Sequence, residues 1–225
     1  MVKAVTRAPL YGLFIDGPFR SQRDQRKPPN AGWQFLAAVD VAAPTADRDW
    51  PIRAMASLDG ATVMLAAAVD ANTRNPAPHT ELLQLDVQTG KVTWMTTDPA
   101  IGFPGITWIE PVRRQEAYAA TDDGRVLFWD GLQWTFPGSV VARGAALGSL
   151  AADAATKPTT VFVITGGTVY VSRDATRKWK PAMNGLPRSL ECTNIHLMVD
   201  HQSTSRLRLS TYGRSTWAAD LVEPG

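Results

Sequence analysis

Two carboxylates, Glu110 and Asp200, are the residues of this chain whose type and position could support catalysis. Both lie near the ends of predicted inner strands, and many glycoside hydrolases use two carboxylates held roughly 5 to 9.5 Å apart. No motif places a second acid opposite either residue, and solvated acids are common at strand ends. The sequence therefore assigns no catalytic residue, and we expect Glu110 to be exposed or paired with Arg113 or Arg53.

The three histidines do not indicate a metal site. His79, His196 and His201 are too few and too scattered to form one. His196 alternates with Ile195 and Leu197 on a predicted inner strand, which is typical of a histidine in a core or a channel. No glycine-rich phosphate loop precedes a predicted helix. The sequence predicts neither a metal nor another cofactor.

A second group of side chains is suited to binding rather than to catalysis. Trp108 and Tyr118 lie near predicted strand ends, where their rings could stack on sugar rings. Arg53, Glu110 and His196 complete the set of candidate binding residues.

The element that must position these residues is a unit of about 40 to 50 residues, the period of β-propeller blades. Units are predicted over 50–97, 105–137, 142–183 and 190–222. Trp94, Trp134 and Trp179 open successive outer strands, 40 and 45 residues apart, where a large ring would fill the gap between radially arranged sheets. Helical patterns are nearly absent. The prediction is an all-β β-propeller of four-stranded antiparallel blades, with four or five blades or as the C-terminal part of a larger ring.

The N-terminal segment is predicted to complete this ring. The last unit offers three strands, and we expect residues 33–41 to supply the fourth, because pairing the first and last strands removes free sheet edges. Residues 17–32 contain four basic side chains and are expected to form an exposed loop. The whole chain, 1–225, is expected to be a single β-propeller domain.

A hairpin near the C-terminus carries the most specific motif. Ser172, Asp174 and Trp179 stand at the spacing S-x-D-x-x-x-x-W, directly after strand-forming residues. This motif resembles the Asp box, or BNR repeat, of sialidase-like and sortilin-like β-propellers. The resemblance implies that the Asp accepts backbone N–H groups inside the turn and that the Trp packs between sheets. Thr176 stands where the family usually has glycine, so a positive φ there would be strained.

A second stretch, Tyr212-Gly213-Arg214 followed by Trp217, resembles the closing motif of the same family. The resemblance implies a tight turn between strands, which is again a structural role. A sialidase would also need three arginines that clamp a carboxylate. The first of these arginines would come from an N-terminal motif of the family. This chain does not match that motif beyond Phe19-Arg20, because Ser21-Gln22 follows.

Composition narrows the function classes further. The formal net charge is +2, so no nucleic-acid surface is indicated. No apolar run reaches the ~18 residues that span a bilayer, and the N-terminus lacks the apolar centre of a signal peptide. Cys192 is the single cysteine, which rules out an intrachain disulfide. We expect a cytoplasmic protein if Met1 is the native start, and otherwise a secreted one whose leader was removed.

Three functions fit these predictions. The preferred one is a non-enzymatic β-propeller that recognises a protein or a glycan through one face, since every recognised motif is structural. The alternative is a carbohydrate-active glycoside hydrolase, or a fragment of one, which would show a deep cleft with two facing carboxylates. The third is a structural subunit of a larger assembly, in which a partner chain would cover one propeller face.

Overall fold

The structure, a computed structural model, describes residues 6–13, 33–41, 52–69, 79–86, 88–89, 91–102, 104–184, 186, 191–199, 205–212 and 216–220. In chain order the strands are β1 (Thr6–Leu13), β2 (Trp33–Val41), β3 (Ile52–Ser57), β4 (Thr62–Val69), β5 (His79–Asp86), β6 (Val92–Trp94), β7 (Thr96–Thr97), β8 (Ile106–Arg113), β9 (Glu116–Thr121), β10 (Val126–Trp129), β11 (Gln133–Thr135), β12 (Leu150–Asp153), β13 (Thr160–Thr165), β14 (Thr168–Ser172), β15 (Lys180–Pro181), β16 (Cys192–Val199), β17 (Ser205–Thr211) and β18 (Thr216–Asp220). Within these ranges the only helical segment is a 3-10 turn, Pro99–Ile101. No helix among them is long and apolar enough to cross a membrane.

Four antiparallel sheets are arranged in a ring as the blades of a β-propeller, as the sequence predicted. The strand orders are β3-β4-β5-β6, β8-β9-β10-β11, β12-β13-β14-β15 and β16-β17-β18. The first strands of the sheets neighbour one another in the order β3, β8, β12, β16, which places them on the inner side. Strand β7 pairs in parallel with β11 and so adds a fifth strand to the second sheet. Apart from β7, each sheet lies within one of the four predicted units.

Apolar side chains fill the spaces between consecutive sheets. Successive residues of a strand point to opposite faces, so that each sheet can pack against both neighbours. Between the first two sheets lie Met64, Ala66, Leu82, Ile106, Ile109, Leu127 and Trp134. Between the second and third lie Tyr118, Ala120, Val126, Leu150, Val161 and Val163, and between the third and fourth lie Phe162, Ile164, Val169, Ile195, Leu207 and Leu209. These packed layers fix the positions of the inner strands.

The three repeated tryptophans occupy different environments. Trp134 is fully buried and Trp179 is partly buried, each on the side of its sheet that faces the preceding sheet. Trp94 pairs with Leu83 on the first sheet. The opposite face of this sheet carries Leu82 and packs against the second sheet. Trp94 remains 55% exposed. The prediction that Trp94 would fill a gap between sheets like the other two is therefore wrong.

The N-terminal strands pair with each other. Strands β1 and β2 form a separate antiparallel sheet, with a register shift between Leu10 and Tyr11. The last blade has three strands among the described residues. The expected pairing of 33–41 with the C-terminal sheet is thus replaced by a local hairpin, because strands that follow one another in sequence commonly pair. The predicted basic loop, 17–32, lies outside the described residues.

Candidate functional site

An inner-strand cluster brings together three of the residues that the sequence singled out. Trp108 and Glu110 lie two positions apart on β8, and the indole Nε1 of Trp108 donates a hydrogen bond of 3.3 Å to Oε2 of Glu110. The strand has a register shift between Ile106 and Trp108. Ile106 and Ile109 are buried toward the first sheet, whereas Trp108 packs partly against the layer shared with the third sheet. We call Trp108, Glu110 and His196 the inner-strand cluster.

The third member of the inner-strand cluster comes from the fourth blade. The His196 ring on β16 meets the Trp108 ring edge-on, with centroids 6.4 Å apart and an interplanar angle of 64°. Strand β16 is held in place by Ser149, whose hydroxyl accepts from the backbone N–H of Ile195 at 3.2 Å and contacts Asn194 Oδ1 at 2.7 Å. Ile195 is buried while His196 is exposed. The histidine therefore lies on an inner strand with its side chain open to solvent, rather than in the core.

Glu110 has an unusual electrostatic environment. The side chain is partly buried, and this loss of hydration raises its pKa to about 7, while the Trp108 N–H acts in the opposite direction. Arg113, the expected partner, is bound instead to Glu116 at 2.5 Å and to the Ala154 carbonyl at 2.9 Å. Glu110 lies inside β8 and not at its end. The expectation of an exposed Glu110 is therefore wrong, because this side chain is partly buried. The expectation of an ion pair with Arg113 is also wrong, because Arg113 binds Glu116 and Ala154. Pairing with Arg53 stays a prediction.

The inner-strand cluster combines an aromatic ring with two hydrogen-bonding groups. Near neutral pH the Glu110 carboxyl exists in both forms, so it can accept or donate a hydrogen bond. The acid on the neighbouring inner strand, Asp153, is 4% exposed and accepts from the Ala155 N–H in its own turn. Among the described residues no group of three potential metal ligands occurs.

The other predicted site residues lie apart from the inner-strand cluster. Tyr118 is buried against Phe128, with ring centroids 5.0 Å apart, and so cannot stack on a sugar at the surface as predicted. Arg53 is exposed on β3. Tyr212 and Trp217 are 79% and 37% exposed. Asp200, Gly213 and Arg214 lie outside the described residues.

The hairpin at Ser172 forms a closed turn. Asp174 Oδ1 accepts from the Ser172 hydroxyl at 2.8 Å and from the Lys178 N–H at 2.9 Å, and the Ser172 hydroxyl accepts from the Thr176 N–H at 2.9 Å. Thr176 has φ +68°, the strained conformation that the sequence suggested. Trp179 Nε1 donates to the Ser139 carbonyl at 3.1 Å. These side chains are engaged in holding the turn against the linker that follows the second blade.

A cleft that the sequence did not indicate lies between the first and second sheets. It has a volume of about 140 Å³. Its polar lining includes Asp59, Gln84, Arg114 and Gln115, and its apolar lining includes Leu58 and Trp129. These residues come from strands and turns of two different blades, so that no local pattern joins them. The sequence feature that could have indicated the cleft is the pair of Asp-Gly turns, 59–60 and 130–131, which both contribute to its lining.

Comparisons with known proteins show the fold. No family model matches the chain, and no curated protein sequence matches it. The computationally designed Ika4 protein superposes with a TM-score of 0.51 at 16% identity, covering 78% of this chain and 94% of that one. The GH74 enzyme of Niastella koreensis gives 0.50 at 14% identity over 76% of this chain and 28% of that one. YCF48 bound to D1 peptide gives 0.49 at 13% identity, over 79% and 50%. The chain thus spans nearly all of the designed protein and half or less of the other two.

Proposed function

We propose that this β-propeller is a non-enzymatic recognition module that binds a protein or a glycan, with the inner-strand cluster at the contact. The observation that carries this proposal is the meeting of Trp108, Glu110 and His196 from two inner strands. An indole ring with polar groups at its edge provides both apolar contact and hydrogen bonding, the combination found in ligand sites.

The scaffold residues support the same proposal. Ser172 and Asp174, whose motif resembles the Asp box, use their polar atoms within a turn. They are therefore occupied in holding the fold, as expected if function lies in side chains grafted onto a propeller framework. The inner-strand cluster, in contrast, keeps an exposed imidazole and a carboxyl with remaining hydrogen-bonding capacity.

One observation favours a second candidate, a glycoside hydrolase. A carboxyl group with a pKa of about 7 has the property of a general acid at neutral pH. Hydrolysis of a glycosidic bond by the common mechanisms also needs a second carboxylate facing the first. Recognition is preferred because the Glu110 carboxyl contacts the Trp108 indole, and the other polar group of the inner-strand cluster is an imidazole.

The two candidates are separated by paired screens of the folded protein. One measures binding to arrayed glycans and arrayed peptides, and the other measures hydrolysis of aryl-glycosides and oligosaccharides. If the protein is a recognition module, both the parent and Glu110→Gln should capture a ligand and release it chemically unchanged. Turnover by the parent that disappears in Glu110→Gln would establish the hydrolase and overturn the proposal.

A further inference from the structure

We propose that the cleft between the first and second blades is a second binding site, and that it takes a neutral, hydroxyl-rich ligand such as a sugar residue. The cleft is distinct from the inner-strand cluster. Arg114 directly follows the end of β8, six residues beyond Trp108, which corresponds to roughly 20 Å along a strand. The volume of the cleft, about 140 Å³, is below the roughly 300 to 1,000 Å³ of pockets for drug-sized ligands, so the expected occupant is a single sugar residue and not a longer glycan.

Paired charges at the cleft disfavour ligands of either sign. The Arg114 Nε lies 3.8 Å from Oδ2 of Asp59 and joins the turns of two blades. The backbone N–H groups of Ala61 and Thr62 hold the pKa of Asp59 below its usual range, so the carboxylate stays ionised at neutral pH. An anion would therefore meet Asp59 and a cation would meet Arg114. A neutral ligand meets neither repulsion.

Two amide side chains supply the hydrogen-bonding groups that hydroxyls need. Gln84 on β5 and Gln115 in the β8–β9 turn approach the cleft from different blades. Each amide carries a carbonyl acceptor and an NH2 donor, which match the acceptor and donor of a hydroxyl group. Leu58 and the nearly buried Trp129 add a smaller apolar part to the lining. This mixture suits a polyol better than an apolar ligand.

The turns that form the cleft are fixed before a ligand arrives. Asp59 Oδ1 accepts from the N–H groups of Ala61 at 3.0 Å and Thr62 at 2.8 Å. Asp130 Oδ1 closes the next turn in the same way, accepting from Leu132 at 2.8 Å and Gln133 at 2.9 Å. A site that is ordered in advance loses less conformational entropy on binding.

The test measures binding of glucose, galactose, mannose and xylose by saturation-transfer NMR and calorimetry. Glucuronic acid and glucosamine serve as charged analogues. We expect at least one neutral sugar to bind, to shift the side-chain NH2 signals of Gln84 and Gln115, and to bind more tightly than both analogues. Gln84→Ala and Gln115→Ala should each weaken binding at least about tenfold, whereas Gln133→Ala, at an exposed glutamine outside the cleft, should not.

Several outcomes would overturn this assignment. These are the absence of binding by every neutral sugar, equal or tighter binding of a charged analogue, and unchanged affinity in both cleft variants. The NH2 signals of the parent protein decide the question even if a variant does not fold. Because Trp108 and His196 are not part of the cleft, sugar binding that survives Trp108→Ala separates this site from the one in the proposed function.

Discussion

Replacing Glu110 by glutamine should stabilise the folded protein at alkaline pH. Burial raises the pKa of this carboxyl from 4.5 to about 7, so folding favours the protonated form. The stability contributed by the acid is fully present below pH 4.5 and is lost as the pH rises through 7. Glutamine remains neutral throughout, and the variant therefore gains relative to the parent across that interval.

The size of this gain follows from the same difference. A pKa change from 4.5 to about 7, at about 1.4 kcal/mol per pKa unit, corresponds to an upper value of about 3 kcal/mol. Because Glu110 keeps part of its surface in water, we expect a gain of about 2 kcal/mol above pH 7. Trp108→Phe removes the N–H that favours the ionised form, so it should raise the Glu110 pKa further.

Urea denaturation of the parent and of Glu110→Gln, repeated between about pH 4 and pH 8, measures the predicted difference. The carboxyl carbon of Glu110, followed by NMR, should titrate near pH 7 in the parent and at a higher pH in Trp108→Phe. A Glu110 carboxyl that titrates near its ordinary value, together with a stability difference that does not change with pH, would refute the reasoning.

Three further predictions concern the scaffold. Trp134→Ala should lower the free energy of unfolding by about 3 to 5 kcal/mol and Trp94→Ala by less than half as much, because the Trp134 ring is fully buried and the Trp94 ring is 55% exposed. Urea denaturation measures both losses, and equal losses would contradict the packing. Gly124→Ala should lower the free energy of unfolding by about 2 kcal/mol more than Gly144→Ala. Both glycines have positive φ, but only at Gly124 would an added methyl group overlap the Ala142 carbonyl. Thermal unfolding compares the two variants, and the reverse order would contradict the turn geometry. Acid should destabilise the protein as the pH falls below about 4. Backbone N–H groups hold the pKa values of four turn carboxylates below their usual 3.8, so the stability that these groups contribute above that pH is lost as they become protonated. A urea midpoint that does not decrease from pH 5 to pH 3 would contradict this role for Asp59, Asp86, Asp130 and Asp174.

The propeller fold could be predicted from the sequence because its signals are local and repeated. Turn residues and the spacing of Trp94, Trp134 and Trp179 recur once per blade, and each blade is a meander of strands that follow one another. The partner of β2 could not be predicted in this way, because both local and long-range pairing satisfy the same strand pattern. The exposure of Trp94 likewise depends on which sheet lies beside it.

The candidate site could be predicted only in part. Trp108, Glu110 and His196 were recognised as candidates from their residue types and predicted strands. Their meeting depends on the order of the inner strands and on the register shift in β8, which the sequence pattern does not contain. The burial that raises the Glu110 pKa arises from the same packing. The cleft at Gln84 and Gln115 escaped prediction because it joins side chains from two blades.

The central claim, that the inner-strand cluster is a recognition site, is tested most directly by the affinity of a ligand captured in the screens. Calorimetry would compare the parent protein with Trp108→Ala and His196→Ala, and with Trp94→Ala as the control for loss of an exposed indole. We expect both cluster variants to bind at least about tenfold more weakly, while Trp94→Ala binds like the parent. Unchanged affinity in Trp108→Ala and His196→Ala, or an equal loss in Trp94→Ala, would contradict the claim.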